Sequence, residues 1–207
     1  MFRNLFNPES HLMMTMAHIT DCIFLSLFWL VGCIPVVTAG ASFAAMYDAT
    51  YRAFRCHEKN SWLRFWQVFR RNWRVGIVPT LIFGLAMFLL AKLMILGWNS
   101  AVAGSISWTF FAGGALVGML MLGILSILFP MLSRFENSTA GLLKNTLLLA
   151  CANMPRTLGL GVLNGMTILL CVRFVVPLFF LPSLACLLGS LLIEPMFKPY
   201  MPEDTAE

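Results

Sequence analysis

Charge is what this sequence has least of: Asp, Glu, Lys and Arg together make up only 11% of its 207 residues. An ordinary soluble domain carries about 25%, so a water-facing globule with a solvated surface is excluded. Histidine is nearly missing as well, with three residues in the whole chain. No H-E-x-x-H pair, phosphate-binding glycine loop, nucleophile–base pair or paired-carboxylate array occurs. The usual routes to metal-assisted hydrolysis, nucleotide hydrolysis and acid–base catalysis therefore have no visible carrier. The six cysteines show no C-x-x-C spacing, and Cys22, Cys33, Cys151, Cys171 and Cys186 lie in or beside apolar segments. They read as small buried hydrophobes and not as a disulfide or metal framework. The chain is not expected to be an enzyme, and neither a cofactor nor a metal is expected.

What is present is apolar length. Hydrophobic residues make up 59% of the chain, and its mean hydropathy is +0.83. About 20 mostly apolar residues are needed to cross a bilayer, and residues 17–39, 76–97 and 106–132 each supply them. The stretch 157–193 is too long for one crossing and divides into 157–175 and 177–193 around Arg173 and Pro177. The expectation is an all-α, polytopic helix bundle of about five spans in a single membrane domain, 1–207. The first run begins late and lacks a short basic leader, so it reads as a retained span and not a cleaved signal.

The basic residues orient that bundle. Arg52, Arg55, Lys59, Arg64, Arg70, Arg71 and Arg74 stand between the first two spans against Asp48 and Glu58. The positive-inside rule makes this segment cytoplasmic. The uncharged stretch 98–105 then lies outside, and 133–156, with Arg134, Lys144 and Arg156, lies inside. Five spans put the amino terminus outside and the carboxyl terminus in the cytoplasm. The pI of about 9.1 points to anionic lipid headgroups as partners and not to nucleic acid, because the basic residues border spans and alternate with aromatics.

Two cytoplasmic helices are expected, over 43–74 and 138–153. In "SWLRFWQVFRRNWR", Trp62, Phe65, Trp66, Phe69 and Trp73 recur at helical spacing, and Arg70 and Arg71 fall elsewhere on the surface. Such a face lies in the membrane interface or packs on the protein's own spans or a second subunit. In the second helix, Leu142, Leu143, Thr146, Leu147 and Ala150 form the apolar stripe.

Between the first span and the first cytoplasmic helix runs "CIPVVTAGAS". Pro35 must kink or end the span, Thr38 can satisfy freed backbone groups, and Gly40 lets a neighbouring backbone approach. Ser42 is a candidate cap for the helix that follows. The segment reads as an elbow; a broken-helix site for an anion or polar solute is the alternative. Asp21, inside the first span, and Arg173, inside the last apolar stretch, are the intramembrane polar candidates. Asp21 pairs with Arg3 or Arg173, or forms a small metal or proton site with His18 and Cys22. Arg134, after the third span, is a candidate cytoplasmic anchor.

Several stretches together carry a family resemblance: "NLFNPES", "WLVGCIPVVTAGASFAAMY", "LFPMLSRFENS", "LLKNTLLLACANMPRTL" and "LPSLACLLGSLLIEPMFK". In this order the chain resembles the YesL-like family of bacterial integral membrane proteins, which carries no established activity. The resemblance implies a bacterial cell-membrane location and an association with carbohydrate uptake, because such genes commonly stand beside sugar importers. The expected function is then a non-catalytic accessory component, with sugar-importer permease subunits as the protein partner and a homo-oligomer compatible with it. A small self-contained secondary transporter or channel for a polar solute is the alternative.

Overall fold

The computed structural model describes residues 11–56, 60–102, 108–134 and 139–200, with side chains described from Ile19 onward except at 99 and 200. Seven helices run through them: α1 (His11–Cys33), α2 (Ala39–Arg55), α3 (Ser61–Val102), α4 (Trp108–Arg134), α5 (Thr139–Ala152), α6 (Met154–Arg173) and α7 (Leu181–Phe197). Short 3₁₀ turns occupy Val36–Thr38, Val176–Phe179 and Lys198–Tyr200. No strand occurs among the described residues. The all-α bundle is as the apolar periodicity predicts, and α3, α4 and α6 are long and apolar enough to cross a membrane. The described part of α1, Ile19–Cys33, and α7 are shorter apolar helices.

The largest departure from the sequence reading is α3. The segment 43–74 is not one helix that ends before a span. It is α2, a break, and the first third of a helix 42 residues long. At ~1.5 Å per residue α3 extends about 63 Å, twice the ~30 Å of hydrocarbon. It runs through Gly76, where a Cβ would stand 3.3 Å from the Ala41 backbone of α2 and from the Leu132 side chain of α4. Pro79 inside the same helix removes one rung of the hydrogen-bond ladder without ending it. The true start lies at Asn60, whose carbonyl accepts the first helical bond from the Arg64 amide at 3.2 Å.

α2 is the centre of the bundle and not an interfacial helix. Ala41, Ala44, Ala45, Met46, Ala49 and Thr50 have no exposed surface, and α1, α3, α4 and α7 all pack around it. Its alanines explain why: short side chains let four helices approach one axis closely, the arrangement favoured where lipid offers no hydrophobic drive for association. α3 and α4 form an antiparallel hairpin, with Gly118 against Leu90, Gly114 against Met94 and, at the far end, Trp98 against Trp108, 6.0 Å between ring centroids. α4 and α6 meet through glycines. A Cβ at Gly123 would collide with the Thr157 carbonyl, and one at Gly161 with the Met119 carbonyl.

Candidate functional site

The most unusual feature of the bundle is a cluster of charge where α2, α3, α4 and α7 converge. Asp48, on α2, is 1% exposed. Its Oδ2 lies 2.6 Å from Arg64 Nε at the start of α3 and 3.4 Å from Arg52 Nε one turn along α2. Its Oδ1 lies 3.9 Å from Arg134 Nε at the end of α4. Arg134 continues the chain of contacts: its Nη2 donates to Glu194 Oε1 at 2.9 Å, and its guanidinium carbon stands 4.4 Å from the Tyr51 ring centre. The same Glu194 oxygen accepts from the Tyr47 hydroxyl at 3.0 Å. Arg71 closes the rim by donating to the Ser133 carbonyl at 2.7 Å.

The chemistry of this cluster follows from its members. Three guanidiniums face two carboxylates, leaving one positive charge in excess. Arginine does not release its proton in proteins, so the cluster cannot pass protons through its cations. Burial, then the neighbouring Glu194 carboxylate, hold the Tyr47 phenol well above its ordinary range, so it stays a neutral donor. The planar fork of Arg134 suits it to bridge two acids on different helices. The arrangement is a clamp that joins four helices.

Beside the clamp, separated from it by Tyr47, lies a cavity of about 350 Å³ between α1, α2, α4, α6 and α7. Phe129, Leu160, Ala185 and Ile193 form its buried floor. Its walls are apolar apart from a few groups. Asn164 Nδ2 donates to Ser126 Oγ at 2.8 Å and to the Leu160 carbonyl at 2.9 Å, so that pair is satisfied within the wall.

The sequence-derived candidates fall as follows. Arg134 is a hub of the clamp. Asp21 is half-buried on α1 and Arg173 is exposed at the end of α6. The side chain of His18, as a ligand, and Arg3, as a partner, lie outside what is described. Among the described residues no group of three His, Cys, Asp or Glu is placed to hold a metal ion. Pro35 follows the end of α1, and the Thr38 hydroxyl lies 2.7 Å from the Gly32 carbonyl and 2.8 Å from that of Pro35, which satisfies backbone groups at the break. α2 begins at Ala39, so Ser42 lies inside the helix and does not cap it.

The aromatic face of α3 divides in two. Phe65 is buried against Phe28, 5.8 Å between ring centroids, and stacks on Phe69. Trp62, Trp66 and Trp73 are exposed on the flank, with Arg70 exposed beside them and Arg74 5.3 Å over the Trp73 ring. Arg71 turns the other way, to Ser133. The sequence reading passed over Asp48, Glu194 and Tyr47 as site members. The one signal available was an isolated acid within a run of small or apolar residues, in "AAMYDAT" and "LLIEPMF".

No curated protein and no solved structure gives a match to the chain. Residues 22–94 match a family model described as "Protein of unknown function, DUF624". The match takes in the second half of α1, the elbow, α2 and most of α3, including Asp48 and Arg64. Over that part the chain is similar to an uncharacterised family, DUF624, in agreement with the YesL-like resemblance.

Proposed function

We propose that this chain is a non-catalytic, multi-pass protein of the bacterial cell membrane that serves carbohydrate uptake as an accessory component, docking on permease subunits of a sugar importer. The observation that carries the non-catalytic part is the clamp: the buried Asp48 and the partly buried Glu194 are engaged by Arg64, Arg134 and Tyr47, leaving them unsuited to act on a substrate. The uptake context rests on the YesL-like resemblance. The Arg-rich end, where Arg64, Arg71 and Arg134 gather, is the cytoplasmic end by the positive-inside rule, with the amino terminus outside. There the exposed tryptophans of α3 sit at headgroup depth.

The accessory reading is preferred to a self-contained transporter because the cavity is walled almost entirely by apolar groups. A sugar placed in it would leave most of its hydroxyls unpaired, at a cost of about 1–3 kcal/mol each. The test is a gentle-detergent pull-down of the full-length tagged protein from its native membranes, with partners identified by mass spectrometry. Importer permease subunits are expected at near-stoichiometric level. Recovery of this chain alone, under conditions that keep known membrane complexes intact, would overturn the docking role.

A further inference from the structure

The cavity has a mouth as well as a floor. Ile168 and Val172 line it and are 48% and 82% exposed, so it opens along the outer surface of α6. That helix is among the three long enough and apolar enough to cross a membrane. The mouth therefore faces hydrocarbon and not water, and what stands at it in a bilayer is an acyl chain. About 350 Å³ is within the ~300–1,000 Å³ range of ligand sites.

A polar feature at the mouth of this apolar space calls for an amphiphile and not a plain hydrocarbon. Arg173 is exposed immediately after Val172, at the end of α6, where a long cationic side chain meets phosphate at the edge of the hydrocarbon. Trp29, near the end of α1, lines the inner part of the cavity.

We propose that this cavity is a lipid site: it takes one acyl chain of a surrounding anionic phospholipid through the Ile168–Val172 mouth, with Arg173 holding the phosphate at the outer end of α6 and the chain running inward to Trp29. The inference rests on the membrane location and on no protein partner, so it stands or falls independently of importer docking.

Trp29 is its own reporter. The full-length protein is reconstituted in phosphatidylglycerol brominated along its acyl chain, and the Trp29 emission is taken as the difference between wild type and Trp29→Phe. Chain bromines are expected to quench more than half of that emission. Gly189→Leu and Thr167→Phe each narrow the cavity from a different wall; a Cβ at Gly189 meets nothing closer than Leu160 at 3.4 Å. Both are expected to remove the quenching of Trp29 while leaving that of the other tryptophans, which also shows that the variants fold. Arg173→Glu is expected to lower the quenching by brominated phosphatidylglycerol and not by brominated phosphatidylcholine. Quenching of Trp29 that neither filled variant alters, or no quenching in wild type, would overturn the site. Quenching by a free bromododecanoate but not by the phospholipid would overturn the bilayer as the source of the chain.

Discussion

Arg64 Nε stands 2.6 Å from Asp48 Oδ2, so the first turn of the longest helix is held to a carboxylate that water barely reaches. The contact links α2 to α3 across 16 residues of chain and fixes where α3 begins. With Arg134 and Glu194 it extends to α4 and α7. Four helices share one electrostatic joint, and removing its centre strands cations in a poorly solvated place.

Asp48→Asn is therefore expected to destabilise the bundle by about 3–5 kcal/mol, the range seen when one partner of a buried ion pair is lost. Thermal unfolding in detergent would read this as a large fall in Tm. In the cycle with Arg64→Gln, the second substitution should cost much less in the Asp48→Asn background than in wild type. Additive losses would show that the 2.6 Å contact contributes nothing.

At the other end of the joint, Glu194→Gln keeps the shape and removes the charge that Arg134 and Tyr47 address. Hydrogen bonds to charged groups contribute about 1.5–3 kcal/mol, and a loss of that size is expected. Glu194→Gln should also weaken the hold of α7 on α4, measured as faster amide exchange over 190–197 than over the centre of α4.

Tyr47 supplies a pH dependence of definite sign. Its folded phenol is held well above the ordinary value by burial and by Glu194, whereas in the unfolded chain it titrates near the reference of about 10. Its contribution is complete below about pH 10 and is lost as the pH rises towards the folded value, because only the unfolded chain then gives up the proton. Stability should fall above about pH 10, and Tyr47→Phe should flatten that part of the curve. An unchanged alkaline slope in Tyr47→Phe would assign it to other groups.

The glycines of the α4–α6 contact differ from those facing outward. Gly123→Ala and Gly161→Ala force a methyl group onto the partner's carbonyl and should each cost about 1–3 kcal/mol by overpacking. Gly84→Ala and Gly113→Ala meet nothing within 4 Å. Those two should be neutral or stabilise by up to ~1 kcal/mol from helix propensity alone. Equal effects at the two pairs of positions would argue against a close α4–α6 contact.

Much of this architecture is legible in the sequence, and the reason is the period of the side chains. Apolar runs mark α4 and α6 to within a few residues, Pro35 marks the end of α1, and the Leu142–Ala150 stripe marks α5. What escapes is whatever depends on distant pairing. Tyr47 and Glu194 are 147 residues apart, and no local pattern joins them. α2 looks amphipathic and polar enough for a surface because its alanines are neutral in any periodicity count; only their packing reveals it as the core. α3 misleads in the opposite direction. The change from Arg-rich to apolar composition at 74–76 suggests a boundary, while the backbone, which responds to caps and prolines at helix ends, continues unbroken.

The outer face of α3 is where composition and geometry together make the sharpest claim about surroundings. Trp62, Trp66 and Trp73 are exposed along one flank, with Arg70 and Arg74 beside them, whereas Arg71 is engaged with Ser133. Arginines at a membrane surface contribute about 1 kcal/mol each with anionic lipid. Arg70→Glu with Arg74→Glu should accordingly reduce co-purifying phosphatidylglycerol, counted by native mass spectrometry, and leave the Tm nearly unchanged. Arg71→Gln should do the reverse, lowering the Tm through the lost Ser133 contact with little change in bound lipid. If the double reversal leaves the lipid count intact, this flank faces protein, and the same variant should then lose partner recovery in the pull-down.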